Sequence, residues 1–485
     1  MAADPTDSRS HSNSAWWHKL LIAVFLSTYF FYFSWDALGT HFSADELPVI
    51  YYYWHAPWRL LTAQFMLWQF YFRPMTGLFY VPIYLKYGLN PVPYHAVLLI
   101  LLLLGAAQFY RFAEVLGAGC LPAFFTALIA CYHAGLNQLY YNGAFAGDTL
   151  CGLFYLTAFV YYARIRASGR ILTLAQTALF LLLYICALNS KETAASLPLV
   201  ILAYEWLYHK APLRRWKELV PWLRGPGRAL LFTVGLNLLY LYSRMVAPNS
   251  LRNQPGYRMV FSLRSILNFQ KNSLGDLFFS WNNVDWRWVF GIWIVLTWLA
   301  WRRNRTVLRF AWFYLLLTPL PIEFIDGRHG PYLYTTLAGW AVFMAVVFSD
   351  ILREAVAFLA AEPGIRRLGP KVISAILVVL SVYFWGRENH RLKYRYFTDD
   401  MTLSPETWDA IQQLHDLNPR IRPGSQVVFL DDPFHNYDME FIAELSFQDR
   451  SVHVRLNRVT PVTPQEIAQA DYVFTFENGK LIQNR

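Results

Sequence analysis

AWWHKLLIAVFLSTYFFYFSW, residues 15–35, and FSADELP, residues 42–48, together set the reading of the whole chain. The first stretch is almost unbroken apolar sequence, long enough for a helix to cross a bilayer. The second places two adjacent carboxylates, Asp45 and Glu46, a few residues beyond it, and the aromatic run Tyr51-Tyr52-Tyr53-Trp54-His55 follows. If the first stretch spans a membrane, both acids lie just outside the hydrocarbon, where they stay ionised and within reach of a lipid headgroup.

The pattern of that first segment recurs along the chain. Of 485 residues, 56% are hydrophobic and 15% charged, against about 25% charged in a soluble protein. Eleven apolar segments read as transmembrane helices: residues 15–35, 94–112, 120–137, 148–162, 171–188, 193–208, 229–245, 289–301, 307–321, 332–348 and 372–385. The fold class expected is an α-helical polytopic membrane protein, with a transmembrane domain over residues 15–386. Trp16-Trp17-His18-Lys19 opens the first segment with no small-residue cleavage site after it, which reads as a retained signal anchor. Residues 1–14 are polar and expected to be disordered in the cytoplasm.

The net charge of +10 does not point to nucleic acid, because the basic residues sit in short loops between apolar segments. With the N-terminus inside, the inside loops carry Arg164, Arg166 and Arg170; Lys210, Arg214, Arg215, Lys217, Arg224 and Arg228; Arg302, Arg303 and Arg305; and Arg366, Arg367 and Lys371. The short outside loops near Tyr140, Ser190 and Asp326 carry very few, as the positive-inside rule expects. Two outside loops are long, residues 36–93 and 247–287. The first holds two aromatic amphipathic stretches, 58–72 and 74–89. The second of these is interrupted by Gly77, Pro82, Lys86 and Gly88, and is placed along the interface or as a shallow re-entrant helix. The other long loop is polar, with Asn253, Gln254, Tyr257, Arg258, Arg264 and Lys271.

Residues 387–485 are richer in charge and read as a small α/β domain on the outside face. Strands are expected at 426–430 and 451–456, a helix at 439–447, and a hairpin at 471–476 turning on Asn478-Gly479. Cys120, Cys131, Cys151 and Cys186 fall in predicted spans without CxxC spacing and read as small buried apolar residues. The triplet Asn304-Arg305-Thr306 lies on the inside, so the chain shows no sign of secretory glycosylation; this favours a bacterial plasma membrane.

The residues with chemical potential gather on the outer face. A carboxylate such as Asp45 can take a proton from a hydroxyl, and Glu46 can help hold an acceptor or a divalent cation such as Mg or Mn. The plainer reading is a pair of acids at a helix N-terminus. Asn189-Ser190-Lys191-Glu192 joins two spans through a minimal turn, where a lysine and a glutamate are expensive unless paired or bound to something. The plainer reading is a Lys191–Glu192 pair with the lysine snorkelling. Glu323 to Tyr334 is a second charged turn, and its Arg328 and His329 suit a phosphate; they also read as ordinary stop-transfer residues. Arg73-Pro74, Tyr94-His95 and residues 142–148 share that face, with His95 also read as an interfacial anchor. No Gly-rich phosphate loop is present, so a lipid-linked donor fits better than a soluble nucleotide.

Four features in order carry a resemblance. They are Phe42 to Glu46; Arg73-Pro74 through Gly88-Leu89-Asn90-Pro91 to Tyr94-His95; Ser190-Lys191-Glu192 to Leu197-Pro198; and Arg328 to Tyr334, with His329-Gly330-Pro331 inserted. Over roughly the first 350 residues the chain resembles the GT-C class of polytopic glycosyltransferases. It resembles especially the branch that includes protein O-mannosyltransferases, the bacterial aminoarabinose transferase and the tetratricopeptide-bearing O-mannosyltransferases. The resemblance implies a polyprenyl-phosphate sugar donor entering from the bilayer, with inversion at the anomeric carbon and an acceptor that is a protein, lipid or glycan. It implies Asp45 as the base, Glu46 as a supporting or metal-facing acid, and Lys191 and Arg328 neutralising the leaving phosphate. Arg73, Tyr94, His95, Glu192 and His329 would complete the substrate-binding set. Here the acid pair is Asp-Glu where the branch has two aspartates, and the tail lies outside the resemblance. Two other classes stay open: a lipid or small-molecule transporter or flippase, and a non-catalytic membrane scaffold whose tail recruits a partner.

Overall fold

Helices form wherever the apolar runs predict them. The computed structural model describes residues 5–43, 45–62, 73–212, 215–246, 258–279, 284–325, 327–362, 366–401, 405–417, 419–434 and 438–485. The first part of the chain holds α1 (Pro5–Ser34), α2 (Leu47–His55), α3 (Arg59–Thr62), α4 (Pro74–Tyr87), α5 (Pro91–Val115), α6 (Cys120–Cys131), α7 (Gln138–Tyr141) and α8 (Ala146–Ala167). The middle holds α9 (Leu174–Leu188), α10 (Leu197–His209), α11 (Trp216–Arg224), α12 (Arg228–Val246) and α13 (Leu263–Leu277). Then come α14 (Trp286–Arg302), α15 (Thr306–Leu317), α16 (Tyr334–Ala361) and α17 (Gly369–Met401). The tail contributes α18 (Pro405–Leu417), β1 (Gln426–Phe429), α19 (Asp438–Phe447), β2 (His453–Leu456), α20 (Pro464–Gln469), β3 (Tyr472–Glu477) and β4 (Lys480–Gln483).

Each of the eleven predicted segments overlaps a helix. Among the described residues, four stretches are long and apolar enough to cross a membrane: Trp16–Gly39, Pro91–Val115, Gly143–Ala167 and Gly369–Lys393. The molecule is therefore compatible with a helical membrane protein. Boundaries follow local chemistry. Asn90 caps α5 by accepting from Val92 N–H, and Pro91 supplies a pre-set φ at the first helical position. Thr173 and Gln176 form a capping box on α9. Apolar side chains on the outer faces of α12, α14 and α17, such as Leu238, Trp298 and Val379, are exposed, as lipid contact requires.

Several boundaries depart from the sequence reading. α1 begins at Pro5, inside the segment expected to be disordered. The 120–137 segment stops being α-helical at Cys131 and continues through a 3-10 turn into α7. Residue 387, expected to open the tail domain, lies within α17. α4 has 14 residues and so spans about 21 Å, short of the bilayer core. Its buried face carries Thr76, Phe79, Tyr80 and Tyr84. Ala44, residues 63–72 of the first amphipathic stretch, Arg214, Asn253, Gln254, Tyr257 and Asp326 lie outside the described residues.

Close packing seats Tyr334 between α5 and α8. α5 and α8 approach α16 through Gly105 and Gly152; a Cβ at either would meet the Tyr334 ring system, at 2.1 Å from its hydroxyl and 2.5 Å from its Cδ1. Tyr334 opens α16, so this contact fixes the turn that precedes it.

The tail strands form one sheet in the order β2-β1-β3-β4, with β1 parallel to β2 and β3, and β3 antiparallel to β4. Asn478 and Gly479 both take positive φ, 53° and 77°, at the β3–β4 turn. The sheet region docks on the first long loop. α19 packs against α2; the Tyr84 hydroxyl donates to Leu445 O at 2.6 Å; Tyr51 and Phe441 rings lie 5.0 Å apart; and His41 stacks on Trp408 at 4.5 Å.

Candidate functional site

Glu46 is the N-cap residue of α2, and its side chain turns inward. The backbone N–H of Ser43 donates to Glu46 Oε1 at 3.0 Å, and the Ser43 hydroxyl lies 3.3 Å from the same oxygen. The Tyr80 hydroxyl lies 3.3 Å from Oε2 and donates to Gly143 O at 2.6 Å. One phenolic proton serves one acceptor well. The shorter bond to Gly143 takes it, leaving the Tyr80 oxygen to accept from a protonated Glu46. Burial pushes the Glu46 carboxyl up to about 7, opposed by the Ser43 bonds. Glycine at 143 is required by this approach, since a Cβ there would lie 2.2 Å from Oε2.

Asp45 is exposed, unlike its neighbour. It faces the docked tail: burial raises the Asp438 carboxyl above its usual range, and the Asp45 charge adds to the effect. The two acids therefore do not act as a chelating pair. Both Glu46 oxygens are engaged by Ser43 and Tyr80. No group of three His, Cys, Asp or Glu side chains suited to a metal occurs among the described residues. A Mg or Mn ion at Asp45 and Glu46 does not fit this arrangement.

The Lys191-Glu192 turn resolves into two separate buried pairs. Lys191 is extended, with φ −160° and ψ 150°, so consecutive side chains leave in opposite directions. Lys191 Nζ donates to Asp148 Oδ2 at 2.7 Å, the side chains 9% and 4% exposed. Arg73, at the N-cap of α4, donates to both Glu192 oxygens at 3.0 and 2.8 Å. The expected Lys191–Glu192 surface pair is thus replaced by Lys191–Asp148 and Arg73–Glu192. Burial pulls the Lys191 ammonium below the usual lysine range, with Asp148 opposing.

Arg328 and Lys191 meet at one ring. Lys191 Nζ is 4.4 Å from the Tyr332 ring centre, and the Arg328 guanidinium 4.9 Å. Arg328 also donates to the Tyr332 hydroxyl at 2.5 Å. The edge of Phe145 meets Tyr332 at 5.4 Å. The residues between Asn142 and Asp148 therefore connect the Glu46 side to the cation side: the Ser43 hydroxyl lies 3.0 Å from Asn142 Oδ1, Gly143 accepts from Tyr80, and Asp148 holds Lys191.

The other expected site residues fall around this core. Tyr94 is buried against Phe42 and Tyr80, with its hydroxyl donating to Gly88 O at 2.7 Å. His95 is buried beside Thr40, whose Oγ1 is 3.0 Å from Nε2, and so anchors the first loop to α5. His329 Nδ1 lies 2.9 Å from Asp276 Oδ2, which also accepts from Gly330 N–H at 2.6 Å. Among the described residues no ion pair joins Asp45 to Lys191 or Arg328. Tyr80 and Asp276 were missing from the expected set, and Asp148 and Tyr332 were not singled out within the stretches 142–148 and 323–334. Asp148 carried a usable signal, being an acid in the first turn of an apolar helix.

No protein-family model matches the chain, and no curated protein matches it either.

Proposed function

We propose that this chain is a membrane-embedded inverting glycosyltransferase that moves a sugar from a polyprenyl-phosphate donor to an acceptor on the extracytoplasmic face. The proposal includes about eleven spans, a cytoplasmic N-terminus and the tail outside, in a bacterial plasma membrane. The observation that carries it is the pair of cations from two different turns, Lys191 and Arg328, flanking Tyr332 beside the turn that holds Glu46. Two cations from separate turns near one aromatic face suit the charge that develops on a departing phosphate.

In this reading the exposed Asp45 carboxylate takes the proton of an acceptor hydroxyl. The hydroxyl oxygen attacks the anomeric carbon, its bond to the phosphate oxygen breaks, and polyprenyl phosphate leaves with the electron pair. Glu46, protonated up to near neutrality, adds little negative charge beside Asp45 and fixes the loop through Ser43 and Tyr80. Arg73 and Glu192 brace the Lys191 turn against α4.

The test is purified protein in nanodiscs with a polyprenyl-phosphate sugar, followed by sugar transfer or donor hydrolysis. Asp45→Asn, folded as wild type, should lose at least about 100-fold in turnover. Full activity in that variant removes Asp45 as the base. A transporter remains the second reading, because buried ion pairs such as Lys191–Asp148 also mark transport paths. Substrate flux at normal rate in Asp45→Asn, with no transfer by wild type, would select it.

A further inference from the structure

A space with many polar side chains in its wall adjoins Arg328. It is a cavity of about 300 Å³ between α13 and residues Glu323, Arg328 and His329, at the low end of small-molecule sites, roughly 300–1,000 Å³. Arg264, Asn268 and Asn272 line it from α13. They are spaced by four residues, so they form one stripe along the helix. Phe269, on the same helix, is buried at the cavity wall.

The chemistry of this lining is specific. A side-chain amide offers donors and an acceptor together, as does a hydroxyl, so an asparagine stripe matches a ring bearing several hydroxyls. Glu323 is 5% exposed, and burial pushes its carboxyl up to about 7. In its neutral form it too both donates and accepts. Arg264 adds a positive charge that an anionic substituent would meet.

The rim is of opposite character. Val260, Phe261 and Leu263 are exposed, Phe261 at 76% and Leu263 at 69%. This lip is held in place: Val260 N–H donates to Phe324 O at 2.8 Å, Met259 and Ile325 form an antiparallel bridge, and Phe261 packs on Phe324 at 4.8 Å. A held, exposed apolar edge beside a cavity with polar side chains in its wall is the shape expected where a headgroup is taken while its tail stays in the bilayer.

We propose that this cavity binds the anionic sugar head group of a membrane-anchored glycolipid, with Phe261 and Leu263 seated among the lipid tails. The glycosyltransferase reading enters only in saying which lipid arrives, the donor with its sugar or an acceptor glycolipid.

Binding is measured by native mass spectrometry on the full chain released from nanodiscs, with four probes. Two carry a sugar: a polyprenyl-phosphate hexose and a diacylglycerol phosphohexose. Two do not: polyprenyl phosphate and phosphatidic acid. Asn268→Leu/Asn272→Leu should weaken a sugar-bearing probe about tenfold, as expected for two lost hydrogen bonds, and leave the sugarless probes within about twofold. Loss confined to the polyprenyl hexose assigns the cavity to the donor; loss confined to the diacyl probe assigns it to the acceptor. Unchanged binding of both sugar-bearing lipids, or equal loss of the sugarless ones, overturns the proposal. If the double variant does not fold, Glu323→Gln keeps the shape and is read the same way, with a loss of about threefold expected. Failure of the transferase reading looks different: wild type then turns over no polyprenyl-phosphate hexose, while the variants still lose the diacyl probe.

Discussion

Lys191→Met tests whether the cation side of the site rests on one buried pair. The Lys191–Asp148 contact is 2.7 Å, with the side chains 9% and 4% exposed. Removing the lysine strands a carboxylate with little water around it, and breaking a buried pair from one side costs about 3–5 kcal/mol. Asp148→Leu should cost less, about 2–3 kcal/mol, because the stranded ammonium keeps the Tyr332 ring at 4.4 Å. The double variant Lys191→Met/Asp148→Leu removes both charges and should fall within about 1 kcal/mol of wild type. The coupling energy of the cycle is then several kcal/mol, well above the roughly 0.5 kcal/mol of independent sites. Equilibrium unfolding in mixed micelles by graded SDS gives each value. If the single variants sum to the double, the two residues do not form an isolated pair and the reasoning fails. Donor turnover separates stability from function: the double variant should recover stability and stay inactive, since the phosphate loses Lys191.

Two further outcomes follow from the acid side. Glu46 titrates near 7 in the folded chain, against an ordinary value of 4.5. Below about 4.5 both folded and unfolded chains hold the proton; as pH rises towards 7 the unfolded chain ionises first, and stability falls by on the order of 3 kcal/mol before levelling off. Glu46→Gln should remove that component, so the stability difference from wild type between pH 4.5 and 8 should slope, and a flat difference would count against a buried, proton-holding Glu46. Gly143→Ala places a Cβ 2.2 Å from Oε2; displacing the carboxylate should cost about 1–3 kcal/mol, and far less in a Glu46→Ala background, again by SDS unfolding.

Much of the helical layout was legible because apolar runs leave a strong imprint on sequence. All eleven expected segments carry helices, and the Asn478-Gly479 hairpin is where its turn residues put it. The pairing of charges was not legible. Lys191 and Glu192 look like partners in sequence, but an extended Lys191 sends them apart, to Asp148 and Arg73. Those partners lie 43 and 119 residues away, and no local signal encodes such a distance. The docking of the tail was hidden for the same reason: Tyr84 meets Leu445 across 361 residues. The different fates of Asp45 and Glu46 depend on Tyr80 and Gly143, which burial brings together and composition does not announce.

The docked tail changes what a deletion experiment can decide. If the chain were a scaffold, removing the tail should abolish function while Lys191→Ala stayed harmless. But α19 packs against α2, and Glu46 is the residue that caps α2. Asp438, opening α19, feels the Asp45 charge, and Tyr84 of α4 bonds to the tail four residues along the helix from Tyr80, which holds Glu46. Cutting the tail away therefore exposes α2, loosens α4 and perturbs both acids, so an enzyme would also lose activity. Only the second arm discriminates. Lys191 is on the far side of the 142–148 turn from the Glu46 contacts and is held by Asp148, so its neutralisation with Asp148 acts on the cation side alone. Loss of turnover in the stable Lys191→Met/Asp148→Leu chain separates an enzyme from a scaffold, and tail deletion does not.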